Sequence, residues 1–311
     1  MLHYFIVNPA AGTVNALPRL KAELEKIFKN RSDKYEVYET KFENDATMEI
    51  KRKLQERDET DPSLHVRIYS AGGDGTAYEC ANGVYGYQNV SFAILPTGSC
   101  NDFLKTFPDV DFNNLEDVVN ADAYPLDVLK INDKICVNVC NVGYDAKANA
   151  DCMRFRKKMK SIHNAYIRAL VINLLKPLGD NIKMYDENNN LIYEGKSLLF
   201  TFGNGQYYGG GYRCAPLSIT DDGLMDISVI KKVSRLTFLR LVGGYKKGEH
   251  VINYEKYKKV SFYTRCKKAR VVSENMLTYC VDGEIFYAKE LNVETIEHAF
   301  NFVMPKKQEN Q

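Results

Sequence analysis

The stretch Leu64-His65-Val66-Arg67-Ile68-Tyr69-Ser70-Ala71-Gly72-Gly73-Asp74-Gly75-Thr76 decides the reading of this chain. Leu64, Val66 and Ile68 recur with the period of a strand, and the run passes without a spacer into Gly72-Gly73-Asp74-Gly75-Thr76. Glycines at the carboxyl end of a strand let backbone N–H groups approach phosphate oxygens with no Cβ in the way. Open α/β sheets bind nucleotides at loops of this kind.

Outward from that stretch the same arrangement appears twice more. The apolar run Leu2 to Val7 precedes Asn8-Pro9-Ala10-Ala11-Gly12, and Phe92 to Leu95 precedes Pro96-Thr97-Gly98-Ser99-Cys100-Asn101-Asp102-Phe103. Between them Leu17, Leu20, Leu24, Ile27 and Phe28 fall at helical spacing, Tyr35 to Thr40 reads as a short strand, and Met48, Ile50 and Leu54 mark a further helix. Strand and helix signals therefore alternate, as in a parallel α/β layer. Its loops would converge on one crevice as a phosphate cradle. Neither a GxxxxGK[ST] loop nor a GxGxxG fingerprint is present.

From about Pro125 the texture changes to strands rich in Val, Ile and Tyr with turns at short intervals. Asn132-Asp133 predicts a hairpin between Leu126 to Ile131 and Ile135 to Val139, and Asn188 to Asn190 joins two more such runs. One helical stretch, from about Arg154 to Leu175, interrupts this mostly antiparallel half. Arg154, Arg156, Lys157, Lys158 and Lys160 crowd its start. The expected organisation is an α/β nucleotide-binding domain over 1–124, rejoined by about 295–306, and a β-rich domain over 125–294.

Composition narrows the function classes. The 311 residues are 45% hydrophobic and 26% charged, which is inconsistent with intrinsic disorder. Opposed charges nearly cancel, 42 basic against 40 acidic, so the total asks for no nucleic-acid partner. The N-terminus has no basic region before an apolar stretch, and no apolar run approaches about 18 residues. The expectation is a cytoplasmic protein, with peripheral contact at the inner face of a membrane as a further hypothesis for the basic cluster. Eight cysteines are dispersed without a CxxC pair, as reduced thiols would be, with Cys136 and Cys140 on one strand face.

In their order, the NPxxG loop at Asn8 to Gly12, the GGDGT loop at Gly72 to Thr76 and the PxGxxNDF segment at Pro96 to Phe103 resemble the diacylglycerol kinase catalytic family, which includes sphingosine, ceramide and bacterial lipid kinases. The second half extends the resemblance. Gly203-Asn204-Gly205, Gly209-Gly210-Gly211, Cys214-Ala215-Pro216, Asp221-Asp222-Gly223-Leu224-Met225-Asp226 and Asp282-Gly283-Glu284 follow as the family's Gly-rich, DGLxD and DGE elements do.

The resemblance implies a two-domain fold, NAD kinase and diacylglycerol kinase-like, with ATP on the N-terminal domain and an acceptor alcohol held between domains. It places nucleotide contacts at Asn8, Pro9, Ala10, Ala11, Gly12, Thr40, Gly72, Gly73, Asp74, Gly75, Thr76, Ser99, Asn101 and Asp102. Glu284 falls where the family has its general base. Asp74 with a magnesium ion on ATP would counter charge on the phosphates. A second, structural magnesium is implied at Asp222 with the carbonyls of Ile219 and Leu224; the alternative there is a plain turn.

Departures from the family pattern are Thr97, Ser99 and Cys100 in the third motif and Tyr78 before Glu79. Competing readings are an NAD kinase, which shares the GGDGT loop, and a nucleotide or lipid sensor without catalysis. The acceptor stays open among diacylglycerol, undecaprenol, phosphatidylglycerol, a sphingoid base or a soluble alcohol, and a homodimer is compatible with everything above.

Overall fold

The apolar runs fold as strands and the periodic stretches as helices. The computed structural model describes residues 1–12, 15–98, 101–156, 159 and 162–307, which divide into two compact units: 1–128 with the terminal segment from 297, and 129–296.

The first unit alternates strictly: β1 (Leu2–Val7), α1 (Leu17–Phe28), β2 (Lys34–Glu39), α2 (Asp45–Thr60), β3 (Val66–Gly72), α3 (Asp74–Val84), β4 (Val90–Pro96), a 3-10 turn (Phe103–Thr106) and α4 (Leu115–Asn120). Its strands β1 to β4 pair in parallel, in the order β4-β3-β1-β2. β1, β3 and all but the last residue of β4 are buried throughout, as strands covered by helices on both faces must be. Leu17, Leu20, Leu24 and Phe28 of α1 pack with Phe5, Val7 and Tyr69, joined by Val118 and Val119 of α4. The other face meets α2, where Tyr4 donates to Glu49 at 2.5 Å. Gly83 of α3 lets that helix close on Ile50, since a Cβ there would stand 2.9 Å from the Ile50 side chain.

The chain leaves through β5 (Ala123–Ile131) and returns at the end of a long last strand, whose Asn301 and Phe302 pair in parallel with Ser91 and Phe92 of β4. Phe302 anchors that return in a ring cluster with Phe103, Phe107 and Phe112 at centroid distances of 5.5 to 6.2 Å.

The second unit contains β6 (Lys134–Cys136), β7 (Val139–Gly143), α5 (Tyr144–Arg156), α6 (Ile162–Leu175), β8 (Asp180–Asp186), β9 (Leu191–Gly203), β10 (Tyr207–Tyr208), β11 (Tyr212–Arg213), β12 (Met225–Lys231), α7 (Arg235–Lys246), the short α8 (Glu249–Ile252) and α9 (Tyr254–Tyr257), β13 (Ser261–Cys266), β14 (Lys268–Val281) and β15 (Glu284–Val303). Its pairings are antiparallel, in the order β13-β12-β9-β7-β14-β15, with β8 beside both β9 and β14. An α/β domain plus a mostly antiparallel β domain is therefore the fold class.

Three local expectations need correction. The helical stretch expected from Arg154 to Leu175 is two helices, and α5 begins ten residues earlier, at Tyr144. They pack through small side chains, Ala148 and Cys152 against Ala165 and Ala169, a contact local periodicity does not announce. The run Ile135 to Val139 is not one strand: it breaks between β6 and β7 at Val137 and Asn138, whose N–H groups turn to Asp282 instead of a neighbouring strand. Cys136 and Cys140 therefore lie on different strands. The helices α7 to α9 interrupt a segment expected to be strands. The described cysteines form no disulfide among themselves and are buried.

Candidate functional site

In the first unit the loops after β1, β3 and β4 meet at the carboxyl ends of adjacent parallel strands. Asn8 folds its own loop, its Oδ1 accepting from Ala10 N–H at 3.0 Å and its carbonyl from Ala11 N–H at 3.1 Å, while its Nδ2 donates to Thr76 Oγ1 at 3.2 Å. Thr40, just after β2, donates its N–H to the Val7 carbonyl at 2.9 Å and so sits against the start of that loop. Gly98 N–H and Asn101 Nδ2 both donate to the Gly72 carbonyl, at 3.0 and 3.1 Å. Asp74 Oδ1 accepts from Asp102 N–H at 3.0 Å, and Asp102 is paired with Lys105 at 2.5 Å.

Glycine is required at these joints. A Cβ on Gly98 would stand 2.5 Å from the Gly73 backbone, and one on Gly72 would overlap the Thr76 side chain. Gly12, at φ 76°, would place its Cβ 2.7 Å from the Thr97 carbonyl. Asp74 opens α3, whose N-terminal end has no side-chain cap and carries the helix's partial positive charge. Residues Asn8, Gly12, Thr40, Gly72, Gly73, Asp74, Thr76, Asn101 and Asp102 are thus gathered in one place, with Pro9, Ala10, Ala11 and Gly75 in the same loops. Ser99 lies outside the described residues. Glycines that permit close backbone approach and a helix N-terminus form a cradle that fits a polyphosphate.

In the second unit Asp282 and Gly283, at φ 46° and 104°, form the two-residue turn between β14 and β15, with Val281 paired to Glu284. The buried Asp282 carboxylate accepts from the N–H groups of Val137, Asn138 and Val139 at 2.6, 3.1 and 3.0 Å. Burial pushes this carboxyl up, against the opposing pull of those three donors. Asn204 Nδ2 reaches the Val137 carbonyl at 2.8 Å, so the 137–139 segment is held from two sides. Glu284 stands at the first position of β15, partly accessible, and Asn149 of α5 donates to the Gly283 carbonyl at 3.2 Å beneath it.

The Asp222 turn is closed by hydrogen bonds and an ion pair. Asp222 Oδ1 accepts from Leu224 N–H at 3.2 Å, and its Oδ2 holds Arg265 at 2.5 Å. The same guanidinium reaches the buried Asp226 at 3.0 Å, where Tyr263 also donates. Ile219 lies on the exposed side of this turn. Arg265 is thus the cation that faces Asp222 in this fold. Among the described residues no three His, Cys, Asp or Glu side chains are grouped to hold a metal. Of the basic cluster, Arg154 pairs with Asp151 at 3.4 Å, nothing is described of the Arg156 side chain, and Lys157, Lys158 and Lys160 lie outside the described residues.

Sequence reasoning missed two carboxylates. Glu79 caps α2, accepting from Asn44 and Ala46 N–H at 2.8 and 3.1 Å. Asp145 follows the buried strand β7 and receives Tyr208 O–H at 2.5 Å, with Tyr245 O–H a further 3.1 Å from Tyr208. Burial pushes Asp145 up to about 6. The local signal for Asp145, an Asp at a helix start, is the same one an ordinary cap gives.

The diacylglycerol kinase catalytic domain model matches residues 3–131, and the YegS C-terminal NAD kinase beta sandwich-like domain model matches 138–304. A protein of Bacillus subtilis (strain 168) named diacylglycerol kinase is 26% identical over 98% of this chain and 97% of its own. A Shewanella frigidimarina protein named "Probable lipid kinase YegS-like" is 25% identical over 77% of this chain and 76% of its own. The crystal structure of a diacylglycerol kinase from Bacillus anthracis, 22% identical, superposes with a TM-score of 0.68 over 97% of this chain and 96% of that one, which supports the fold. With both halves matched in order, the chain belongs to the diacylglycerol kinase catalytic family, with a C-terminal domain of the YegS type.

Proposed function

We propose that this chain is an ATP-dependent lipid kinase that transfers the γ-phosphoryl group to the hydroxyl of a diacylglycerol-like acceptor. The observation that carries the reading is the meeting of three glycine loops at the ends of β1, β3 and β4, where a Cβ on Gly98 would stand 2.5 Å from the Gly73 backbone. A cradle this tight suits phosphate oxygens approached by backbone N–H groups.

In the proposed reaction the acceptor oxygen attacks the γ-phosphorus and the bond to the ADP oxygen breaks. Glu284 takes the hydroxyl proton, a step worth about 10²- to 10⁴-fold for a positioned carboxylate. Asn8 and Thr76 hold the first loop against α3 while the N-terminal end of that helix faces negative charge. Asp74, oriented by the N–H of Asp102, would hold the magnesium ion of the nucleotide, which when bound offsets charge on the phosphates. A structural magnesium at Asp222, with the Ile219 and Leu224 carbonyls, remains part of the proposal only as a competitor of Arg265.

The test is transfer of labelled γ-phosphate from ATP and magnesium to a panel of dispersed lipid alcohols and NAD. A labelled lipid lost in Glu284→Gln supports the reading and names the acceptor. Labelled NADP, or nucleotide binding with no labelled product from any acceptor, overturns it.

A further inference from the structure

Glu284 leaves a turn that its own residues do not hold rigid. Asp282 is clamped from inside by the N–H groups of Val137, Asn138 and Val139. Between that clamp and Glu284 stands one glycine with its two soft dihedrals. Gly283 takes φ 104°, and no atom lies within 4 Å of the place a Cβ would occupy, so packing does not steady its outer side.

Asn149 of α5 supplies a hold at this point. Its Nδ2 donates to the Gly283 carbonyl at 3.2 Å and to Cys280 Sγ at 3.5 Å, which ties the turn to the last residues of β14. The Gly283 carbonyl and the Glu284 N–H belong to one planar peptide unit. A donor on that oxygen therefore sets the direction in which the Glu284 Cα leaves the turn.

The helix that carries Asn149 is fixed along three stripes, each an i, i+4 pair. Asp145, one turn before Asn149, receives Tyr208 O–H at 2.5 Å. On the second stripe Lys147 Nζ meets both Asp180 oxygens at 2.8 and 2.9 Å, and Asp151 accepts from Asn173 and Lys176 at 2.9 and 2.7 Å. On the third, Ala148 and Cys152 pack against Ala165 and Ala169 of α6. An amide on a helix anchored in this way is a more precise support than one on a loop.

We propose that Asn149 is a positioning residue for proton transfer: it orients the Gly283–Glu284 peptide so that the Glu284 carboxylate is aimed at the acceptor hydroxyl. The inference rests on the reading of Glu284 as general base and adds to it the group that aims it. A purely structural amide would instead lower stability and cost the same factor in turnover whether or not Glu284 is present.

The experiment compares the full chain with Asn149→Ala, Glu284→Gln and the double variant. Two quantities are read: transfer of labelled γ-phosphate from ATP to dispersed lipid alcohols, and hydrogen exchange of the 282–286 segment. Asn149→Ala should lower kcat about ten- to hundredfold, as a misplacement of about 1 Å does, with KM for ATP within about twofold of wild type. Exchange in the segment should speed at least tenfold while β9 keeps its wild-type rate. In the Glu284→Gln background Asn149→Ala should cost less than about twofold, because a residue acting only through Glu284 has nothing left to aim.

Equal losses in the two backgrounds overturn the proposal, as does wild-type turnover in Asn149→Ala. Faster exchange at the turn, with no acceptor phosphorylated by any of the proteins, leaves the hold of Asn149 on Glu284 standing and removes the kinase reading. Unaltered exchange in a wild type that phosphorylates lipid removes the hold and leaves the kinase reading intact.

Discussion

The carboxylate of Asp282 lies 2.6 Å from the N–H of Val137, 145 residues earlier in the chain. That bond, with its neighbours to Asn138 and Val139, ends β6 and starts β7, and it holds the turn that carries Glu284 at its far end. Asp282→Ala leaves three buried N–H groups without their acceptor, which should cost about 3 kcal/mol or more. Urea denaturation is the measurement; an unaltered midpoint would refute this role. Asp282→Asn, which keeps one carbonyl oxygen, should lose less.

Gly98→Ala is expected to weaken ATP binding by more than tenfold and to destabilise the first unit by about 1–3 kcal/mol, because the new methyl meets backbone and not a movable side chain. Gly86→Ala is the control: no atom stands within 4 Å of its Cβ, and only the backbone strain of φ 91° applies. Calorimetric titration with ATP separates the two, and equal affinities would show that the cradle is not where the nucleotide sits.

Glu284→Gln should lower turnover by about 10²- to 10⁴-fold while leaving nucleotide affinity and melting temperature near wild type. Asp74→Asn keeps an oxygen to accept from Asp102 N–H, so it too should fold. Its loss should appear in the magnesium dependence of the rate. A Glu284→Gln enzyme with wild-type turnover would remove the general-base assignment.

Asp145 sets a pH dependence of stability. Its carboxyl is raised from 3.8 to about 6, chiefly by burial and against the Tyr208 hydrogen bond. The folded state therefore favours the protonated form, and this contribution is complete below about pH 4 and lost as pH rises through about 6. Allowing for partial solvent contact, the loss by pH 7 is about 1–2 kcal/mol. Asp145→Asn can still accept from Tyr208 and escapes the loss, so its melting temperature should rise relative to wild type between about pH 4.5 and 7. A constant difference across that range would contradict this role for Asp145.

Arg265→Gln strips the cation from Asp222 and from the buried Asp226, and should cost about 3 kcal/mol. If Arg265 and a divalent ion compete for this turn, millimolar magnesium or calcium should restore melting temperature in the variant more than it raises that of wild type. Equal responses would mean that the turn holds no ion in either protein.

Short-range patterns in the amino-acid sequence were enough to determine the fold class and the family. The apolar run Leu2 to Val7 and the alternating Leu64, Val66 and Ile68, each emptying into a glycine loop, read as strands, and the fold buries β1 and β3 along their whole length. The order of NPxxG, GGDGT, DGLxD and DGE carried the family. Such signals survive in one dimension because they come from side-chain period and from glycines that a tight backbone approach demands.

Tertiary structure alone decided which partner each polar group takes. Ile135 to Val139 reads as a strand until Asp282 arrives from the other end of the unit to claim its N–H groups. Nothing near Asp222 in the sequence announces the guanidinium of Arg265, which the fold brings to it from 43 residues away. Nothing singles out Asn149 until the fold sets its amide on the Gly283 carbonyl. Burial and long-range hydrogen bonding depend on what the chain brings alongside a residue, and neighbours in sequence do not encode that.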